Sequence, residues 1–217
     1  MTVRGSDESV EARLRSGELA CWCGAALRPW GRARPRQVAG FGGPEVVRPR
    51  RARCAGCGRT HVLLPAWLLS RRRYAATVIF AGLALRATGL KLAAVAARLR
   101  LPSPARPGQW WSVPASTARS WLARFAGRAG WLRQLLMAVL PLADAQARPV
   151  TAAGSAVADA LAALEAVTAG LRSRFGLAGL AAHEVAAHLT GGMLLAPSLP
   201  GPAGNTSLSW LAAAGSS

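Results

Sequence analysis

Cys21-Trp22-Cys23-Gly24 and Cys54-Ala55-Gly56-Cys57-Gly58 hold the only four cysteines of a 217-residue chain. Thirty residues separate Cys23 from Cys54. Two tight pairs joined by a long arm are how a folded hairpin brings four thiolates around one Zn²⁺. Each pair is followed by a glycine, which permits the backbone angles of a tight knuckle. The second pair is Cys-x-x-Cys and the first, Cys-x-Cys, is one residue shorter. Cys21 and Cys23 are too close for a relaxed disulfide. The polar, acidic start Ser6-Asp7-Glu8-Ser9 is unlike a secretory signal. The βαβ pattern of a redox dithiol is missing. The expectation is one structural Zn²⁺ held by Cys21, Cys23, Cys54 and Cys57. Such a closed site builds a fold and performs no chemistry. His61, four residues past Cys57, reads as a strand residue.

Working outward, Leu27 to Arg36 alternates basic with small or apolar residues, as an exposed strand does. Gly40-Phe41-Gly42-Gly43-Pro44 signals a turn. Glu45 to Arg53 reads as a second strand, and Thr60 to Leu64 as a third, stopped by Pro65. Knuckle, strand, turn, strand, knuckle, strand is a zinc ribbon over residues 19–68. Trp22, Trp30 and Trp67 read as its small apolar core. Residues 1–18 read as a flexible charged lead-in with a short helix around Val10 to Leu14.

The net charge is +18 and the pI about 11.9, an imbalance that points to a polyanion partner. None of the nine acids falls between Val46 and Ala143, a window that holds Arg50, Arg51, Arg71, Arg72, Arg73, Arg119 and Arg124. A merely solvated surface would mix the signs. Metal-dependent strand transfer needs clustered carboxylates, and these acids are scattered, so no enzyme is expected. The longest apolar run, Ala75 to Leu85, is too short to span a bilayer. The expected location is the cytoplasm, on the nucleoid.

Past residue 68 the periodicity becomes helical. Helices are expected from Tyr74 to Arg86 and from Leu90 to Leu99. A Pro-rich interruption follows from Leu101 to Val113, and Pro114 opens a helix to Phe125. On that helix Ala118, Trp121, Leu122 and Phe125 form one stripe. Ser116, Thr117, Arg119, Ser120 and Arg124 point away from it. Residues 69–130 therefore read as a helix-turn-helix-like region. Its last helix would offer Ser, Thr and Arg to the major groove of double-stranded DNA. The usual turn is shorter than the one here.

Beyond Gly130, over residues 131–195, helices are expected at Trp131 to Leu140, Val150 to Leu171 and Leu177 to Leu189. This less basic part reads as a packing or self-association element, so a homodimer through the C-terminal helices is expected. His183 and His188 read as surface residues. A disordered tail is expected from Ala196 to Ser217. The fold class that results is mostly α, with a small N-terminal zinc ribbon of short antiparallel strands.

Several stretches carry a resemblance: Cys21-Trp22-Cys23-Gly24, Leu27 to Arg36, Arg53 to Trp67, Ser116-Thr117-Ala118-Arg119-Ser120-Trp121-Leu122, and Leu189-Thr190-Gly191-Gly192-Met193-Leu194-Leu195-Ala196. Together they resemble an uncharacterised actinobacterial family of zinc-ribbon and helix-turn-helix proteins associated with insertion-element transposases. The loop from Leu101 to Val113 is longer than the family pattern. The resemblance implies a non-catalytic DNA-binding accessory or transcriptional regulator of a mobile element, with a transposase as a partner. Two alternatives stay open: an RNA- or ribosome-binding zinc ribbon, and a protein-interaction module that bridges a transposase.

Overall fold

The computed structural model describes residues 1–196, so the expected disordered tail lies, beyond Ala196, outside the described residues. The elements in chain order are β1 (Thr2–Val3), α1 (Asp7–Ser16), β2 (Leu27–Arg32), β3 (Arg36–Gly40), β4 (Gly43–Val47), β5 (Arg50–Cys54) and β6 (Thr60–Pro65). They continue with α2 (Ala76–Ala87), α3 (Leu92–Arg98), β7 (Arg100–Pro102), β8 (Trp110–Ser112), α4 (Ala115–Ala143), α5 (Ala156–Phe175) and α6 (Ala182–Leu189). With 44% helix and 20% strand the fold is a mixture of α and β, and the expectation of a mostly α chain is corrected. The strand content exceeds that of a small ribbon because β1 of the N-terminal segment joins the main sheet, and two further hairpins, β3–β4 and β7–β8, form sheets of their own.

The main sheet has the order β1-β6-β5-β2. Its central strand β5 alternates cleanly, with Ala52 and Cys54 buried and Arg51 and Arg53 exposed. The strand expected from Glu45 to Arg53 breaks at Arg48-Pro49. Its first half, β4, closes a hairpin with β3, and its second half, β5, enters the main sheet. Proline has no N–H to give a ladder, so the break falls there.

Residues 1–18 are not a loose lead-in. β1 runs parallel to β6, pairing Thr2 with Leu64 and Val3 with Pro65. Thr2 Oγ1 also donates to the Ala187 carbonyl at 3.1 Å, which ties the N-terminus to α6. In α1, Ser6 Oγ caps the first turn by accepting from the Ser9 N–H, and Gly17 ends the helix at φ 77°. Val10 and Leu14 of α1 pack with Leu27, Ala52 and Leu63 of the sheet in a small core. The tryptophans are not that core. Trp22 is 64% exposed and Trp30 51% exposed, while Trp67 packs against the helical core instead. With only a few strands, the aliphatic residues of α1 fill the space that the sequence pattern assigned to indoles.

The larger core runs from Val38 and Val47 of the β3–β4 hairpin to Leu195, so the expected boundaries near residues 68 and 130 fall inside it. Its axis is α4, a single helix of 29 residues where two had been expected. The buried stripe of Phe125, Ala129, Leu132 and Leu136 passes straight through the glycine positions Gly127 and Gly130, which face solvent. Each glycine costs about 1 kcal/mol against alanine, whereas each buried leucine contributes about 1.5–3 kcal/mol. Packing wins, and Pro141 is tolerated in the last turn. α5 starts at its Ser155 cap, later than Val150, and α6 starts at Ala182, later than Leu177. His188, expected on the surface, is buried on α6, and burial pushes its pKa down to about 3.

The C-terminal end of α4 packs tightly against Gly170 of α5. A Cβ there would lie 3.0 Å from the Asp144 Cβ and 3.2 Å from the Ala143 carbonyl carbon. Two glycine-to-alanine changes should therefore have opposite signs. Gly130→Ala, with open space around it, should raise the urea-unfolding free energy by up to about 1 kcal/mol. Gly170→Ala should lower it by about 1–3 kcal/mol, because overpacking outweighs helix propensity.

Candidate metal centre and basic surface

The Leu27↔Cys54 pairing of β2 with β5 puts both cysteine knuckles at one end of the main sheet. The first knuckle is closed by Cys21 N–H to Ala25 O at 2.8 Å and Gly24 N–H to Cys21 O at 2.9 Å. The second is closed by Gly58 N–H to Cys54 O at 3.2 Å. Gly24 at φ 84° and Gly58 at φ 70° supply the left-handed backbone that each turn requires. Gly56 has a different task. A Cβ on it would come 2.8 Å from the Ala25 Cβ, so a side chain would push the two knuckles apart. The sequence pattern had not singled out Gly56.

The four Sγ atoms lie within 4.8 Å of one another. Cys21 Sγ is 3.7 Å from Cys57 Sγ, and Cys23 Sγ is 3.4 Å from Cys54 Sγ. These are free thiols, well beyond disulfide bonding distance. A tetrahedral ion with metal–sulfur bonds of about 2.3 Å needs sulfur–sulfur edges of about 3.8 Å, so the four cysteines fit one metal ion. Cys21 and Cys54 are buried, and Cys23 and Cys57 are exposed. The Cys57 backbone N–H donates to Cys54 Sγ at 3.4 Å. That bond and a second from Gly56 pull the Cys54 thiol down to about 6. Burial pushes the Cys21 thiol up to about 11. The two thiols are thus pushed in opposite directions, Cys54 toward the thiolate and Cys21 toward the thiol. His61 is a strand residue of β6, as expected, but its Nε2 also reaches within 3.2 Å of Cys21 Sγ.

The expected DNA-contacting residues divide into groups. Arg50 is engaged internally. It pairs with Asp7 Oδ2 at 2.7 Å and with Glu11, while Arg32 pairs with the same Asp7 oxygen at 2.5 Å. These contacts hold Asp7 below the usual carboxylate range, the Arg32 hydrogen bond first among them. Arg72 turns inward and donates to the Leu195 carbonyl. Arg51, Arg71, Arg73, Ser116 and Arg119 are exposed. Thr117, Ser120 and Arg124 are half-buried, and Arg124 Nε donates to Ser120 Oγ at 3.4 Å. Arg71 stands in the left-handed region at φ 58°, the only non-glycine there among the described residues.

Arg128 lies in the acid-free window but is not among the expected DNA-contacting residues. It donates to the carbonyls of Met193, at 3.0 Å, Leu194 and Ala196, and so pins the end of the described chain to α4. Every ion pair among the described residues uses Arg4, Arg13, Arg15, Arg32 or Arg50 as the cation. None of the basic residues from Arg51 to Arg133 meets a carboxylate among the described residues. The tight turn around Leu99 and Val113 bears on this surface too. Val113 N–H donates to Leu99 O at 3.0 Å, so the chain leaves α3 and enters α4 at adjacent points.

Residues 20–94 match a family described as a domain of unknown function, DUF6431. The match includes all four cysteines and α2, and it ends inside α3. No curated protein and no solved structure matches the chain.

Cobalt(II) titration followed by its sulfur-to-metal charge-transfer bands should give one ion per chain. Because cysteine ligates a metal as the thiolate, uptake should release protons, and affinity should fall at least about tenfold per pH unit on acidification below pH 8. Cys54→Ser should abolish the bands, and Gly56→Ala should weaken binding without removing a ligand.

Proposed function

We propose that this chain is a non-catalytic, double-stranded-DNA-binding protein whose N-terminal sheet is closed by one structural Zn²⁺. The observation that carries this reading is the run of basic residues from Arg51 to Arg133, none of which has a carboxylate partner among the described residues. An uncompensated cationic face attracts a polyanion and releases its counterions on contact. Zinc is favoured for the metal because four thiolates in a closed tetrahedral set are the donor set of structural zinc sites.

The geometry of α3 and the start of α4 supports reading of a duplex. α3 packs beside α4, and the closure at Leu99 and Val113 makes their connection behave as a short turn. The first turns of α4 then present Ser116 and Arg119 to solvent on the face opposite Ala118, Trp121 and Phe125. That is the placement in which a recognition helix touches base edges. The resemblance to transposase-associated proteins supports a mobile-element setting, as accessory or regulator, with a transposase as partner. On α5 the apolar stripe of Ala160, Ala163, Leu164 and Val167 is used within the chain, which leaves Leu142 and Phe175 as exposed apolar groups near that end for a second copy.

Fluorescence anisotropy with a duplex probe tests the reading, with an RNA duplex of the same sequence as competitor. Binding should weaken steeply with salt, with a log–log slope of about −0.9 per phosphate neutralised. Arg119→Ala should cost about 1–3 kcal/mol on a preferred site and little on random DNA. Arg124→Ala should weaken both alike and make the slope shallower by about one unit. A flat salt response, or tighter binding to the RNA competitor, contradicts the proposal.

A further inference from the structure

The segment between α3 and α4 does more than connect them. With Leu99 and Val113 already joined by a hydrogen bond of 3.0 Å, residues 100–112 are unnecessary for the connection. They form a β-hairpin. β7 pairs antiparallel with β8, matching Arg100 with Ser112, Leu101 with Trp111, and Pro102 with Trp110. The root is clamped: Leu101 is fully buried, and Trp111 lies 6.0 Å from the Tyr74 ring, with its Nε1 donating to the Pro102 carbonyl at 3.2 Å.

The tip is ordered but bare. Every residue from Pro104 to Trp110 is exposed. Ser103 Oγ accepts from the backbone N–H groups of Ala105 and Arg106, at 3.3 and 3.2 Å. Gln109 N–H donates to Arg106 O at 3.2 Å, and Gly108 stands at φ 79°. Arg106-Pro107-Gly108-Gln109 is therefore a type II turn, with proline and glycine at the positions that turn requires. An exposed, rigid, acid-free projection is costly to keep unless something meets it, and one held rigid in advance loses little entropy on binding.

We propose that this hairpin is a second DNA-contacting element, which places the Arg106 side chain in the minor groove beside the major-groove site of α4. The proposal rests on the duplex-DNA reading. At about 3.3 Å per residue, the hairpin projects up to roughly 20 Å from its root. The root adjoins the start of α4, so the tip reaches the groove flanking the one that α4 occupies. A two-stranded ribbon is too wide for a minor groove of about 6 Å, so only the arginine at the tip enters. Arginine is drawn into narrow, strongly negative minor grooves. Arg100 and Trp110 share the outer face of the ribbon and meet the backbone on the way.

The test uses two fluorescent duplexes of one sequence, one with guanine and the other with inosine opposite every cytosine. Inosine lacks the amino group in the minor groove and leaves the major-groove pattern of guanine intact. The full-length metal-loaded protein should bind the inosine duplex about fivefold or more tightly than the guanine duplex. Arg106→Ala should bind the two equally. Arg119→Ala should keep the inosine preference, and where the shared sequence is a preferred site it should bind both duplexes more weakly. If the wild type binds both duplexes equally, or Arg106→Ala retains the preference, the hairpin does not read the minor groove and this proposal falls while the DNA reading stands. Binding to neither duplex overturns both.

Discussion

Four sulfur atoms, all within 4.8 Å of one another, join the end of β5 to the turn that precedes β2. That closure is the constraint on which the rest of the N-terminal half depends. The sheet it completes is small, and its aliphatic core has only a handful of side chains from α1, β2, β5 and β6. Such a core is marginal on its own, and a bound ion contributes folding free energy directly. The closed sheet also sets the position of β6. From β6 the chain passes through Leu68 and Leu69 into the larger core, so the small core that holds Cys21 and Cys54 leads directly into the helices.

Charge is sorted along the chain in a way that follows from this arrangement. Asp7 and Glu11 of α1 face Arg32 and Arg50 across the sheet edge and neutralise them. With those acids used at the N-terminus, no carboxylate among the described residues pairs with the basic residues from Arg51 to Arg133. Two of these, Arg72 and Arg128, are absorbed by carbonyls at the end of the described chain. Arg51, Arg53, Arg71, Arg73, Arg106 and Arg119 are displayed on β5, on the turn before α2, on the β7–β8 hairpin and on the first turns of α4. A helix that reads bases and a ribbon that holds the flank would then share a single rigid root, at Leu99 and Val113.

Much of the metal site was legible in the sequence, because ligand spacing and the glycines that follow are local properties. Cys21, Cys23, Cys54 and Cys57 converge as their spacing required, and Gly24 and Gly58 take the backbone angles their places in the knuckles imply. What was not legible depends on contacts distant in sequence. The aliphatic residues of α1 displaced Trp22 and Trp30 from the small core, and no periodicity could report that. Gly127 and Gly130 looked like a helix end because the contacts that carry α4 through them are made by Ala129 and Leu132, inside a core whose other members lie far along the chain. Gly56 matters only because Ala25 stands against it. The loop from Leu101 to Val113 looked irregular because its prolines mask two three-residue strands, although its Pro107-Gly108 turn signal was present.

The central claim is that the acid-free surface from α3 through the start of α4 meets duplex DNA. Hydrogen–deuterium exchange of the metal-loaded protein with and without a saturating duplex tests this most directly. The account predicts new protection concentrated in residues 98–124, covering the hairpin and the first turns of α4, with residues 156–189 of α5 and α6 unchanged. Protection confined to α5 and α6, or no change anywhere at low salt, would contradict it.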